Sequence, residues 1–414
     1  MSNEKITCGI VSVLLTCVVQ AAVTNVPLSS SGPTATSLGL RGAPSEPKVF
    51  WHEPVQAGSG GYARAHRLND GRVMLAYCSG GRAYVRTSQD RGDTWSAAKR
   101  LVDLDILMEG NVGYTNLVGN VDFAQLPADH AVHPNRIIAS FNYRCKNMAK
   151  RPYSILELHS DDNGVKWSQP KTLFTANATE GVYEPFVHVK SDGTVEIYTA
   201  DESDESLESK NQRIAKHVST DGGDTWGGAQ TVCSSISSVT GWSGRDGMPA
   251  VMAWNGHTYL AIETRSDTRY LNPRVLTDGT REQPLAEPLG AGIQGGAPDI
   301  AETENFLLLC WQQYPGGADA SQRRVTVAVA AKSEVQSATG SVAGLFRGRF
   351  SPSLFNGPDE CGSQWNALCP LDGDDFLLVT MRCFYDGTGT RRERVYVTRG
   401  SVFGSSSGIV IVFL

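Results

Sequence analysis

Along most of the chain, apolar and polar residues alternate in short extended runs, and the runs come in pairs split by a turn. Period-two alternation of this kind is the pattern of a β-strand with one covered face. Six such pairs begin at Tyr62, Asn120, Tyr183, Asp246, Gly296 and Ser363, with start-to-start intervals of 58, 63, 63, 50 and 67 residues. Asp70-Gly71, Asp192-Gly193 and Asn255-Gly256 sit at the middle of three of them. Both residues of such a dipeptide accept positive φ, which makes it a strong two-residue hairpin signal. Helical periodicity is nearly absent, and Asp103 to Glu109 amounts at most to a short turn. The recurrence predicts an all-β chain of six units, each led by a hairpin.

A second motif lies inside the first three units. Ser88 to Trp95 and Ser219 to Trp226 both read S-x-D-x-G-x-T-W, and Ser160 to Trp167 differs only in carrying Lys166 at the Thr position. In such a turn the Asp carboxylate accepts from the turn's own amides, the Gly takes the left-handed conformation, and the Trp fills an apolar gap. Its acidity suggests a ligand site, but aspartates already occupied by their own turn, on separate units, do not converge on one ligand. On these residues the chain resembles the Asp-box (BNR repeat) proteins of the sialidase superfamily, from about Val49 to Gly400. The resemblance implies a sialidase-like six-bladed β-propeller, which matches the six hairpin units. The expected organisation is a signal peptide over 1–21, a flexible leader over 22–47 and one propeller over 48–414.

The chain's 414 residues carry 37 Lys+Arg against 43 Asp+Glu, a net charge of −6, with 40 % hydrophobic and 19 % charged residues. That composition supports a packed core and excludes a disordered polymer. A mild acidic excess without a basic run excludes a nucleic-acid surface. The one long apolar stretch, residues 6–23, follows Lys5 and passes Val19-Gln20-Ala21, as in a secretory signal cleaved near Ala21. A membrane anchor is the competing reading of that stretch. Secretion is consistent with the sequon Asn177-Ala178-Thr179. Loss of Cys8 and Cys17 with the signal leaves seven of nine cysteines, hence at most three disulfides and one free thiol, with Cys361 and Cys369 the expected pair. The closing run Gly408 to Leu414 is too short to span a membrane and reads as a last strand.

If first strands line the channel, the Asp-Gly turns and the Asp-boxes share one face. The opposite face then gathers the starts of first strands and the ends of second strands around the channel mouth. Those positions hold Arg64, Asp122, Glu184, Asp246, Asp299 and Trp365 at starts. At ends they hold Asn142, Arg144, Asp201, Glu202, Glu263, Arg265, Gln312 and Arg382. Gathered carboxylates require a partner or a use. Glu184 and Glu263, on the third and fourth units, offer the two acids that glycoside hydrolysis needs. The plainer reading pairs each with Arg64, Arg245 or Arg265. Arg64, Asp122, Asp201, Asp246, Arg265, Asp299, Gln312, Trp365 and Arg382 form the expected substrate-binding set, with Trp311, Trp242 and Tyr314 as further aromatic candidates for stacking on sugar rings.

Within the superfamily, sialidases grip a sugar carboxylate with three arginines. Here Tyr62-Ala63-Arg64-Ala65 keeps one, while Thr199-Ala200-Asp201-Glu202 and Trp311-Gln312-Gln313 lack the others, which disfavours an anionic terminal sugar. The stretches Tyr183-Glu184-Pro185-Phe186, Arg245-Asp246-Gly247-Met248-Pro249 and Gly295-Gly296-Ala297-Pro298 are more similar to glycoside hydrolase family 93, secreted exo-arabinanases. That resemblance implies a retaining enzyme with Glu184 as general acid/base and Glu263 as nucleophile, acting on arabinan or a related neutral glycan. A carbohydrate-binding propeller without catalysis and an exo-α-sialidase are the alternatives. His130-x-x-His133 reads as loop rather than zinc site, and no nucleophile elbow or phosphate loop occurs. No metal or cofactor is expected. The expected partner is an oligo- or polysaccharide, with neither nucleic acid nor membrane beyond the signal, and the chain is expected to be a monomer.

Overall fold

Each hairpin that the alternation marks becomes the inner half of an antiparallel sheet, four-stranded in most blades. A computed structural model describes residues 46–102, 115–146, 153–176, 180–203, 211–235, 244–265, 271–278, 294–314, 323–339, 342–352 and 360–404. The expected signal peptide, most of the expected leader, the sequon, Trp242, Asp103 to Glu109 and the closing apolar run lie outside these residues. Blade 1 comprises β3 (Gly61–Arg67), β4 (Val73–Ser79), β5 (Arg82–Ser88) and β6 (Lys99–Arg100). Blade 2 comprises β7 (Thr115–Gln125), β8 (Ile137–Lys146), β9 (Tyr153–Ser160) and β10 (Lys171–Thr175). Blade 3 comprises β11 (Val182–Val189), β12 (Val195–Asp201), β13 (Arg213–Ser219) and β14 (Gln230–Ser234).

Blade 4 shows three strands among the described residues, β15 (Asp246–Trp254), β16 (His257–Thr264) and β17 (Asn272–Thr277). Blade 5 comprises β18 (Gly295–Glu302), β19 (Phe306–Gln313), β20 (Arg324–Ala331) and β21 (Arg347–Phe350). Blade 6 comprises β22 (Glu360–Pro370), β23 (Asp375–Tyr385) and β24 (Arg391–Phe403), and its outer strand is supplied by β1 (Lys48–Trp51) from the start of the described chain. The short β2 (Val55–Gly58) also pairs with β24. This is a sialidase-like six-bladed β-propeller. The one α-helix among the described residues, α1 (Lys332–Ser337), lies beyond β20 and has no counterpart in the sequence reading. No helix of the described residues is long and apolar enough to cross a membrane.

The core lies between neighbouring blades rather than within any one of them. One apolar cluster joins blades 1 and 2, another blades 2 and 3, and a third blades 3, 4 and 5. Two more join blade 6 to blades 5 and 1, so the ring is closed by packing all round. Second strands are covered on both faces and therefore read as near-continuous apolar runs, as in Phe306–Gln313. Trp311 is fully buried in this inter-blade core, which removes it from the sugar-facing candidates.

The Asp-boxes connect third to fourth strands, as the strand-direction argument requires. In the first, Asp90 accepts from the Thr94 amide at 2.8 Å, Gly92 has φ +93°, and Trp95 Nε1 donates to the Gly92 carbonyl at 3.1 Å. The Asp221 turn repeats this arrangement. Hydrogen bonds from Thr94 and Ser88 hold the Asp90 carboxyl down at about 2.

The expected Cys361–Cys369 disulfide is not formed. Both positions fall in the single strand β22, whose rise of about 3.3 Å per residue keeps them far beyond bonding reach. Cys369 is a buried free thiol, whereas Cys383 is disulfide-bonded.

Candidate active site

The innermost strand of every blade is interrupted at the same place by a bulge. The register shifts between Gly61 and Arg64, Gly119 and Asp122, Tyr183 and Phe186, Gly247 and Ala250, Gly296 and Asp299, and Gln364 and Ala367. At each bulge one non-glycine residue has positive φ: Tyr62, Asn120, Glu184, Met248, Ala297 and Trp365, all between 47° and 56°. Left-handed backbone is costly for such residues and persists only where the surroundings enforce it. Six enforced bends turn six side chains together at the mouth of the channel. Tyr62, Met248, Ala297 and Trp365 form one apolar patch there, with the Tyr62 and Trp365 rings 6.0 Å apart. The fifth and sixth members are polar, Asn120 and Glu184.

Opposite each bulge, the second strand contributes one residue: Cys78, Asn142, Ala200, Glu263, Gln312 and Met381. Glu263 Oε2 accepts from the Ala297 amide of blade 5 at 2.8 Å, and Gln312 Oε1 accepts from the Trp365 amide of blade 6 at 3.3 Å. Each thus satisfies the bulge amide of the following blade. Blade 3 has only Ala200 at this place. The Met248 amide of blade 4 donates instead to Glu184 Oε2, at 2.7 Å. Two glycines leave room for these contacts. A β-carbon on Gly296 would stand 2.3 Å from Glu263 Oε2, and one on Gly247 would stand 3.2 Å from both Glu184 Oε2 and Arg245 Nη1.

Arg245 links the two acids. Its guanidinium forms an ion pair with Glu263 Oε1, and it also attracts the Glu184 carboxylate. Burial opposes its charge, but Glu263 and Glu184 together hold it protonated. Glu184 is placed otherwise. Burial pushes its carboxyl above the ordinary range, and the Glu263 charge pushes it further in the same direction, against weaker pulls from Arg245 and the Met248 amide. One carboxyl is driven toward its protonated form while its neighbour is locked in an ion pair.

The remaining expected residues fall into two groups. Arg265, Gln312 and Trp365 lie around this pair: the Arg265 amide donates to the Arg245 carbonyl at 3.0 Å, and Gln312 Nε2 reaches the Tyr314 hydroxyl at 2.6 Å. The others are engaged elsewhere. Arg64 sits below the mouth, under the Tyr62 ring at 4.6 Å and bonded to the Asn366 carbonyl at 3.0 Å. Asp122 and Asp299 tether adjacent blades by accepting the Val187 and Leu368 amides. Asp246 accepts from Thr264 Oγ1 and the Ser235 amide, and Asp201 pairs with Arg213 at 2.8 Å. Arg382 lies 5.8 Å from the Tyr396 ring, and burial pushes it down to about 10. His133 pairs with Asp224 at 2.7 Å.

The sequence reading missed Tyr62, Asn120 and Met248 at the mouth, and named Arg245 only in its plainer alternative, as an ion-pair partner of the glutamates, which is where the structure puts it against Glu263. A trace of the ring was nevertheless present: glycine immediately precedes the bent residue in four blades, at Gly61, Gly119, Gly247 and Gly296. On the Glu184 side of the mouth opens a cavity of about 710 Å³, bounded by blades 1, 2, 3 and 6.

Fold and rim together define a sialidase-like propeller carrying two acids on consecutive blades. No family model matches the sequence, and no curated protein matches it either. Solved structures match across most of the chain. An α-L-arabinofuranosidase of Fusarium graminearum, solved with an iminosugar inhibitor, is 14 % identical with a TM-score of 0.59, covering 84 % of this chain and 97 % of its own. An α-L-arabinanase of Penicillium chrysogenum, solved with arabinobiose, is 15 % identical with a TM-score of 0.56, covering 84 % and 98 %. The NanB sialidase of Streptococcus pneumoniae is 11 % identical with a TM-score of 0.54, covering 84 % and 70 %. At these identities the likeness is one of fold.

Proposed function

We propose that this protein is a secreted, exo-acting, retaining glycoside hydrolase directed at arabinan or a related neutral glycan, with Glu184 as general acid/base and Glu263 as nucleophile. The carrying observation is the pair Glu263 and Gln312. Both accept the bulge amide of the next blade, so an uncharged amide serves the structural purpose, and the charge at 263 serves another. That charge faces a carboxyl biased toward protonation. Glu184 would donate its proton to the glycosidic oxygen as Glu263 Oε1 attacks the anomeric carbon. The covalent intermediate is then opened by water, whose proton returns to Glu184. Retention requires carboxyls about 5–5.5 Å apart.

The named substrates of the arabinan-active neighbours, and the motifs shared with their family, support a neutral furanoside. Arg64 argues against a sialoside, because its guanidinium is spent on the Asn366 carbonyl beneath the rim. The test is a panel of aryl α-L-arabinofuranoside, arabinan and aryl sialoside, with the anomer of the first product followed by NMR. Release of arabinose with retained configuration is expected, lost in Glu184→Gln. Sialoside cleavage, inversion, or no hydrolysis of any member would overturn the proposal.

A further inference from the structure

We infer that the cavity beside Glu184 receives a leaving group bearing an acidic substituent, a carboxylate or a sulfate on the sugar next to the one released. This rests on the reading of Glu184 as the proton donor. A general acid stands on the side where the leaving oxygen departs, so the space beyond Glu184, away from Glu263, is the leaving-group side. That space is the cavity of about 710 Å³, and three arginines line it, Arg144, Arg391 and Arg392.

Their charge is only partly cancelled. The carboxylates in the lining are Glu184 and Glu393. Glu393 pairs with Arg391 at 3.2 Å, and Glu184 is biased toward its neutral form. Arg392 pairs with Asp386 at 2.8 Å, but its side chain stays 58 % exposed. Arg144 enters no ion pair among the described residues. Its guanidinium rests over the Tyr153 ring at 4.9 Å, which fixes the plane and leaves the edge for a ligand. A guanidinium edge binds a carboxylate or sulfate in two parallel hydrogen bonds, a geometry that neutral hydroxyls do not match. Tyr183 and Trp365, also in the lining, offer apolar surface to a sugar ring. A neutral terminal sugar joined to an acidic one would fit both sides of the mouth.

The test uses the full chain and reads binding alone, by calorimetry. Three probes are compared: trigalacturonic acid, its fully methyl-esterified form, and a sulfated neutral trisaccharide. An acidic probe should bind at least about tenfold more tightly than the ester. The preference should weaken as salt is raised and disappear in Arg144→Gln and Arg392→Gln, each shown folded by an unchanged thermal midpoint. The acid and sulfate arms identify which anion is taken. Equal affinity for acid and ester, no binding of any probe, or a preference that survives both substitutions overturns the inference. Charge preference without hydrolysis of any glycoside would overturn the leaving-group assignment together with the proposed activity, leaving only a site for an acidic sugar. Hydrolysis without charge preference would overturn the inference and leave the proposed activity standing.

Discussion

Glu263 and Gln312 hold the same position on adjoining blades and accept the same kind of amide. Glu263→Gln therefore keeps the bond to Ala297 while removing the charge. The thermal midpoint should fall by a few degrees, because the amide no longer pairs with Arg245, while turnover falls by about three orders of magnitude or more, read by calorimetry and single-substrate kinetics. Glu184 sets the pH dependence. Because its carboxyl lies above the ordinary range, the proton it must donate persists to higher pH than in a free acid, and the rate should fall as pH rises through that displaced value. The alkaline limb of the profile should vanish in Glu184→Gln when an activated aryl substrate needs no acid.

Away from the site, Glu157 is fully buried without a hydrogen bond, with His159 Nδ1 3.6 Å off. Burial raises it from 4.5 to about 7. Its folded-state value exceeds the unfolded one, so the stability it lends is complete below pH 4.5 and drains away as pH rises to about 7. Glu157→Gln should flatten that slope and stabilise the protein at pH 8 by up to about 3 kcal/mol, measured by urea unfolding across pH.

At the scale of the element, hairpins and Asp-boxes were legible because each carries its own chemistry, Asp-Gly in one and Ser, Asp, Gly and Trp in the other. The bulges were not. Tyr, Asn, Glu, Met, Ala and Trp share no property, since the bend is imposed by neighbouring blades rather than by the residue. Missing them put Arg64, Asp122 and Asp299 on a level with Glu184, although each lies two residues further along its strand from the bend. The same geometry explains why both of those aspartates serve as tethers between blades. The glycines beside the bends make a direct test. In Gly296→Ala, the added methyl meets Glu263 Oε2 and must displace it. The value of kcat should fall at least tenfold, on the order of 1.4 kcal/mol in barrier, with little change in the unfolding midpoint. An unaffected kcat would mean that the Glu263 seat is not catalytic.

For the whole molecule, five intervals of similar length between six starts sufficed to reveal six blades, because a repeat that buries its surface only against its neighbours must recur. Closure of the ring was hidden. The strand that completes blade 6 comes from the opposite end of the described chain, and no local pattern in Lys48–Trp51 announces its partner. Those four residues pair with Phe403 back to Gly400, and the Trp51 ring meets Phe376 edge-on at 5.5 Å. Deleting residues 46–52 should expose the flank of β24, lower the thermal midpoint by several degrees and increase aggregation through the bared edge, followed by differential scanning fluorimetry and light scattering.

The recurring bend carries one more implication. The main chain treats all six rim positions alike, so nothing in the backbone distinguishes the blades that hold the acids from those that do not. The asymmetry of the mouth is a matter of side chains alone. Two adjoining blades anywhere on the circle could host an equivalent pair, given an acid at one bend, a second acid opposite the next, and a cation between them. The frame is in that sense a turret with interchangeable fittings, and its chemistry can be relocated without rebuilding a strand.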